Sequence, residues 1–309
     1  MQRAAELLRS ATKAVVIGHI RPDADAIGSI GGMIIGLEKL GIPCQGLIGQ
    51  TTPIPDNMLS IPRAETISCT ETLPEADLVV IVDCGSIDRT GALAQQVAAH
   101  PNTLVLDHHA SNTGFGNHNV VAKVESTTSL IAELFEEMGI ELDVELAHAL
   151  YAGLVTDTGS FRWGTSRMHL LAAKLMDTGL NVRIIGEELM DNTTVRDTRR
   201  IGAVLANLRT YTVGDIKVGV LVANHGVIST CSDAAVESLV DAVRALDGVE
   251  LGVVLKENDP DIWSVSLRST SMNVANIAVK LGGGGHIPAA GYTARGDRDR
   301  VLKELLANL

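Results

Sequence analysis

Three short apolar runs constrain this chain more than any other feature: Ala14-Val15-Val16-Ile17-Gly18, Leu78-Val79-Val80-Ile81-Val82 and Thr103-Leu104-Val105-Leu106. Each is too short for a buried helix and rich in β-branched residues. Unbroken apolarity without alternation fits strands covered on both faces, as in a parallel sheet. Helical patterns over Ala24–Leu40 and Arg89–Ala99 separate them, with Gly28, Gly31, Gly32 and Gly36 permitting close packing of the first helix. The spacing therefore predicts the βαβ rhythm of an α/β fold. Each run is followed by ionisable residues. His19, Asp23 and Asp25 follow the first, Asp83 ends the second, and Asp107-His108-His109 ends the third. Ligands of parallel sheets bind beyond the carboxyl ends of the strands, where these residues fall.

Carboxylates and imidazoles gathered there suit a transition-metal site. Taken singly, most have an ordinary structural account. Asp25 and Asp157 could cap helices, and Asp83 could close a turn. Asp107-His108-His109 resists such an account, because two imidazoles and a carboxylate behind a buried strand are unfavourable to desolvate without a purpose. With Asp157, in Val155-Thr156-Asp157-Thr158-Gly159, the set suffices for two metal ions sharing one ligand.

The remaining composition narrows the function. A length of 309 residues predicts about two domains. Net charge is −12 with no basic stripe, which argues against a partner in duplex DNA. Two divalent cations would cancel the charges of Asp23, Asp25, Asp83 and Asp157, so small phosphorylated substrates remain electrostatically allowed. Aromatic content of 3% excludes an extended stacking platform for single strands. Cys44, Cys69, Cys84 and Cys231 are scattered without CxxC spacing and read as free thiols, Cys84 as a packed small residue rather than a soft ligand. No apolar stretch is long enough to span a bilayer and the N-terminus lacks a signal-peptide core, so a cytoplasmic protein with no membrane partner is expected.

From Ser126 to Asn207 the pattern is mostly helical: Ser126–Met138, Val144–Leu154, Arg167–Asp177 and a polar connecting helix over Thr194–Leu208. Strand signals return at Tyr211–Val213, Lys217–Val222, Gly252–Lys256 and Trp263–Leu267, with helices at Asp233–Leu246, Met272–Leu281 and Arg298–Leu306. These place a second, smaller α/β domain from about residue 208. Its run Gly282-Gly283-Gly284-Gly285-His286 reads as a loop rather than a helix or strand interior. Such a loop lets backbone N–H groups approach an anion. Arg268 ends a strand shortly before and could hold a phosphate; a solvated surface arginine is the ordinary account. Phe161 and Trp163, just past Asp157, could stack on a base or pack in the core.

His19-Ile20-Arg21-Pro22-Asp23-Ala24-Asp25-Ala26-Ile27-Gly28-Ser29, Asp83, Asp107-His108-His109 and Asp157 resemble the four ordered motifs of the DHH phosphoesterases. The glycine run ending at His286 resembles the glycine-rich motif of the DHH-associated C-terminal domain. The resemblance covers nearly the whole chain, and its length is similar to the NrnA-type branch, which acts on short RNA and 3′-phosphoadenosine 5′-phosphate. Some members of the family degrade cyclic di-AMP.

The resemblance implies a catalytic domain over 1–190, a helical linker over 191–207 and a substrate-binding domain over 208–309. It implies two Mn²⁺ ions, replaceable by Mg²⁺ or Co²⁺. One would be held by His19, Asp23 and Asp83, the other by Asp25, Asp83, His108 and Asp157, with Asp83 bridging. Asp107 would orient His108, and His109 would face the substrate phosphate. Arg268, Gly283, Gly284, Gly285 and His286 would bind the far end of a short substrate. A homodimer is also implied. The rival reading is a RecJ-like single-strand exonuclease; a family II pyrophosphatase would have a different C-terminal domain, and a nucleotide sensor would not need the full acid and imidazole set.

Overall fold

The computed structural model describes residues 1–191 and 193–309, and the chain divides into two compact units, Met1–Asp191 and Asn192–Leu309. Asn192, inside the expected linker 191–207, lies outside the described residues.

The first unit opens with helix α1 (Gln2–Ser10), strand β1 (Ala14–Gly18) and helix α2 (Ala24–Lys39). Strands β2 (Cys44–Ile48), β3 (Ser68–Cys69) and β4 (Leu78–Val82) follow, then α3 (Ala94–Ala99), β5 (Thr103–Asp107) and β6 (His118–Val121). All six strands pair in parallel, in the order β3-β2-β1-β4-β5-β6. Every residue of β1, β4 and β5 is buried, as their unbroken apolar sequences require. Full burial of each Val, Leu or Ile side chain contributes about 1.5–3 kcal/mol. β2, β3 and β6 lack such runs and carry no comparable signal in the sequence. The order reverses between β1 and β4, and a doubly wound sheet opens a crevice at such a switch point.

Helices α4 (Thr127–Met138), α5 (Val144–Asp157), α6 (Ser166–Met176) and α7 (Val182–Leu189) complete the unit. α2 and α5 pack together, and with α4 they cover one face of the sheet. On the other face α3 packs Val97 against Val15, Ile17, Val79, Ile81 and Val105. The helix expected over Arg89–Ala99 differs. A 3₁₀ stretch (Ile87–Leu93) breaks at Gly91, φ +62, and only Ala94–Ala99 is α-helical. A side chain at Gly91 would meet the Gly49 carbonyl at 2.2 Å, so only glycine allows this turn. All four cysteines are free, and Cys84 is packed in the core beside Leu93.

The second unit begins with α8 (Val195–Leu205), read from sequence as a connector. It buries Ile201 and Val204 against Leu239 and Leu221 of the same unit. Strands β7 (Arg209–Val213) and β8 (Ile216–Ala223) lead to α9 (His225–Ile228) and α10 (Asp233–Arg244). Then come β9 (Leu251–Asp259), β10 (Ile262–Arg268), α11 (Val274–Lys280), β11 (Gly284–His286), β12 (Ala289–Arg295) and α12 (Arg298–Ala307). The sheet is mixed, in the order β11-β12-β10-β9-β8-β7, with only β8 and β9 parallel. The glycine run is not the loop its composition suggested: Gly284–His286 forms the edge strand β11. A side chain at Gly283 would stand 2.1 Å from the Gly291 carbonyl, so the run packs close to its neighbour strand. Among the described residues, no helix is long and apolar enough to cross a membrane.

Candidate metal centre

The crevice at the switch point collects residues from six places in the first unit. His19 leaves the end of β1. Asp23 caps α2, its Oδ1 accepting the amides of Asp25 and Ala26. Asp25 lies in the first turn of α2 and is fully buried. Asp83 follows β4 at φ +56, a left-handed backbone that is unfavourable by about 1–3 kcal/mol for a residue other than glycine. Asp107 ends β5 and His108 and His109 follow it. Asp157 is the last residue of α5.

These residues form two clusters with Asp83 between them. In the first, His19 Nε2 stands 3.6 Å from Asp23 Oδ2 and 3.5 Å from Asp83 Oδ2. In the second, His108 Nε2 stands 3.1 Å from Asp157 Oδ2, 3.6 Å from Asp83 Oδ1 and 3.8 Å from Asp25 Oδ2. Asp83 thus turns one oxygen to each cluster.

Hydrogen bonds select the oxygen each carboxylate can offer. Asp25 Oδ1 accepts both the amide and the hydroxyl of Thr128, at 3.0 and 2.7 Å, which fills its two lone pairs. Asp25 Oδ2 accepts only the Thr127 amide, at 2.6 Å, and keeps one pair facing His108. Both amides belong to the first turn of α4, whose partial positive charge stabilises the carboxylate. Thr127 Oγ1 donates to Asp83 Oδ1 at 2.9 Å. The oxygens left over (Asp23 Oδ2, Asp25 Oδ2, both of Asp83, Asp157 Oδ2) are those facing the imidazoles.

The electrostatics agree. Burial alone would depress the His19 imidazolium, but Asp23 and Asp83 outweigh it and push the ring up to about 10. His108 is likewise pushed up to about 11, the Asp157 carboxylate outweighing burial. Burial, with the charges of Asp83 and Asp157, drives Asp25 well above the ordinary carboxylate range. Burial also raises Asp157. Asp83 runs the other way, far below the ordinary range, because the three imidazoles outweigh its burial.

The donor set fits divalent cations. The ligand atoms of His19, Asp23 and Asp83 lie within 4.8 Å of one another, as do those of Asp25, His108 and Asp157. An octahedral ion with bonds of about 2.1 Å sets neighbouring ligand atoms about 3 Å apart, so each cluster needs only slight closure to hold one. Imidazole and carboxylate donors together suit manganese or its neighbours better than calcium.

One expected role is corrected. Asp107 does not reach His108; its Oδ1 accepts from His109 Nδ1 at 2.8 Å, and its Oδ2 accepts from Asn112 Nδ2 at 2.7 Å. Side chains two apart on extended chain share a side, whereas adjacent ones diverge. His108 Nδ1 instead sits 3.3 Å from the Val124 carbonyl, which leaves Nε2 to face the carboxylates. Asp107 still raises the His109 ring against the opposing effect of burial.

Four further residues at the centre were not anticipated: Thr127, Thr128, Asn112 and Gly153. The run Ser126-Thr127-Thr128-Ser129 reads as an ordinary helix start, and Ser126 does cap α4. Of the two aromatics past Asp157, Phe161 packs against the core near Tyr151 and His169, with ring centroids 6.1 and 5.5 Å away. Trp163 donates its indole N–H to the Asp157 carbonyl at 2.6 Å and covers Gly159.

In the second unit, Arg268, Ala289 and His286 lie on one row of paired residues across β10, β12 and β11. Arg268 and His286 therefore share a sheet face, two strand spacings or about 10 Å apart.

Comparison with known proteins adds identity to this geometry. Residues 13–154 match the DHH family, N-terminal domain, and residues 212–309 match the DHHA1 domain. A Thermus thermophilus protein, the bifunctional oligoribonuclease and PAP phosphatase NrnA, is 30% identical over 99% of this chain and 92% of its own length. The Listeria monocytogenes cyclic-di-AMP phosphodiesterase PdeA is 26% identical over 94% of this chain and 46% of its own length. The crystal structure of an exopolyphosphatase-related protein from Bacteroides fragilis shares the fold, with TM-score 0.86 at 22% identity over 99% of this chain and 95% of its own.

Proposed function

The chain belongs to the DHH family of phosphoesterases, hydrolases of phosphodiester bonds, and from that premise we propose that it is a manganese-dependent enzyme of the NrnA type. Its substrates are short oligoribonucleotides and 3′-phosphoadenosine 5′-phosphate, with cyclic di-AMP as a further candidate supported by the likeness to PdeA. The observation that carries this reading is Asp83, whose two oxygens face two separate imidazole and carboxylate clusters.

His19 Nε2, Asp23 Oδ2 and Asp83 Oδ2 would hold one cation; Asp25 Oδ2, Asp83 Oδ1, His108 Nε2 and Asp157 Oδ2 would hold the other. Such a pair, when bound, supplies Lewis acidity toward phosphoryl oxygens and makes water a nucleophile near neutral pH. The protein supplies rigidity and charge. Thr127 and Thr128 fix the Asp25 carboxylate, and Thr127 fixes Asp83. The Val124 carbonyl accepts from His108 Nδ1 and so holds its proton away from Nε2. His109, held by Asp107 at Nδ1 and favoured as the imidazolium, presents Nε2–H to a phosphoryl oxygen as charge builds in the transition state. Substrate recognition by the second unit is assigned to Arg268, Gly283, Gly284, Gly285 and His286.

A turnover panel with Mn²⁺ on dinucleotide RNA, 3′-phosphoadenosine 5′-phosphate, cyclic di-AMP and long single strands tests the reading. Dinucleotides should be cleaved fastest. Equal rates on dinucleotides and long strands would point to a processive exonuclease instead. Arg268→Ala should raise KM by roughly tenfold, as for a lost charge-assisted phosphate contact; an unchanged KM removes Arg268 from recognition.

A further inference from the structure

The roles above leave Arg89 without a task, yet its guanidinium enters the first cluster. Nη2 lies 2.8 Å from His19 Nδ1. The backbone delivers it there. The Ile20 amide donates to the Arg89 carbonyl at 2.9 Å, and the turn at Gly91 fixes the segment that follows. Arg89 is only half-buried, and among the described residues no carboxylate lies within ion-pair distance of it. This holds although Asp23 and Asp83 face the other nitrogen of the same imidazole.

His19 Nδ1 also lies 3.0 Å from the Ile20 carbonyl. One ring nitrogen can donate to a carbonyl or accept from a guanidinium, but not both. One of the two polar contacts at Nδ1 is therefore left without a complementary partner. The Ile20 carbonyl can take the ring N–H, whereas among the described residues no carboxylate takes the Arg89 guanidinium, which stands beside the first cluster. A guanidinium in that position is stabilised by an anion, and its planar fork of N–H groups matches phosphate oxygens.

We propose that Arg89 is a further catalytic residue, whose guanidinium holds a non-bridging oxygen of the phosphate being cleaved. This rests on the two-metal phosphoesterase reading.

The test compares the full chain with Arg89→Ala and Arg89→Lys. Calorimetry measures Mn²⁺ affinity, then inorganic phosphate affinity of the Mn²⁺-saturated protein, and turnover of a dinucleotide follows. Arg89→Ala should bind Mn²⁺ within about threefold of the parent and phosphate at least about tenfold more weakly. Its kcat should fall by about 10²–10³, the usual effect of removing one donor to a developing oxyanion. Arg89→Lys should recover part of the phosphate affinity. A thermal melt checks that both variants fold; if the alanine variant does not, the lysine variant carries the comparison, with intact Mn²⁺ binding and weakened phosphate binding expected. If Mn²⁺ affinity falls tenfold or more with phosphate affinity unchanged, Arg89 acts only by holding His19 and the proposal is overturned. If the parent binds Mn²⁺ and phosphate but cleaves no dinucleotide, the functional reading fails while the binding comparison still decides whether Arg89 holds phosphate.

Discussion

Gly153→Ala should damage both the fold and the metal centre, and the structure sets the size of the effect. Gly153 lies in α5 where that helix passes the Asp25 carboxylate. A methyl group there would stand 2.3 Å from Asp25 Oδ1 and 2.6 Å from both Thr128 Oγ1 and Thr128 Cγ2. Ordinary contact is about 3.5–4.0 Å, so about 1 Å of overlap must be relieved by moving the ligand, the threonine or the helix. Overpacking of this kind is unfavourable by about 1–3 kcal/mol. Asp25 Oδ1 accepts two hydrogen bonds from Thr128. Losing one bond to a charged group removes about 1.5–3 kcal/mol. The better helix propensity of alanine offsets about 1 kcal/mol. The balance is a loss of about 2–5 kcal/mol. Shifting Asp25 should also weaken one of two bound ions by about 10–100-fold. Urea unfolding and Mn²⁺ calorimetry measure the two effects. Gly202→Ala is the matched control: nothing lies within 4 Å of its added methyl, and it should stabilise α8 by about 0.4–1 kcal/mol. Gly153→Ala with parental stability and two undiminished binding steps would refute the reasoning.

Two other outcomes follow from the same geometry. Asn112→Ala frees Asp107 Oδ2 and loosens the carboxylate that orients His109; kcat should fall by about 10–100-fold with metal stoichiometry unchanged, whereas loss of an ion would make Asp107 part of a ligand set. Metal affinity should rise with pH. The metal-free imidazoles of His19 and His108 are pushed up to about 10 and 11, so below those values each is protonated and must release a proton before it can ligate. Affinity should then increase by up to about tenfold per pH unit for each proton released, and calorimetry in two buffers of different ionisation enthalpy counts those protons. Affinity that is flat between about pH 7 and about pH 8.5 would contradict this.

How much of the centre could be read from sequence depends on where each residue sits. His19, Asp83 and Asp107 terminate strands whose unbroken apolar sequences announce burial on both faces, and a parallel sheet brings such ends together. The positioning residues carry no such mark. Thr127 and Thr128 look like any helix start, and their partner Asp25 is about a hundred positions away. Gly153 interrupts nothing in the pattern of α5; its purpose is visible only when α2 is laid against it. Asp107 precedes two histidines, and composition cannot say which one it orients; the alternation of extended chain decides for His109. β11 is invisible in the sequence because glycines give a strand no side-chain pattern, although its pairing with β12 is regular. In the sequence Arg89 looks like the start of a helix, whereas the chain breaks at Gly91 and Arg89 lies against His19.

Counting bound Mn²⁺ per chain in the parent and in Asp83→Ala tests the central claim most directly. The parent should bind two ions, and the variant should lose high-affinity binding of both, because Asp83 offers Oδ2 to one cluster and Oδ1 to the other. A variant that keeps one ion at parental affinity would show that the two clusters do not share a ligand.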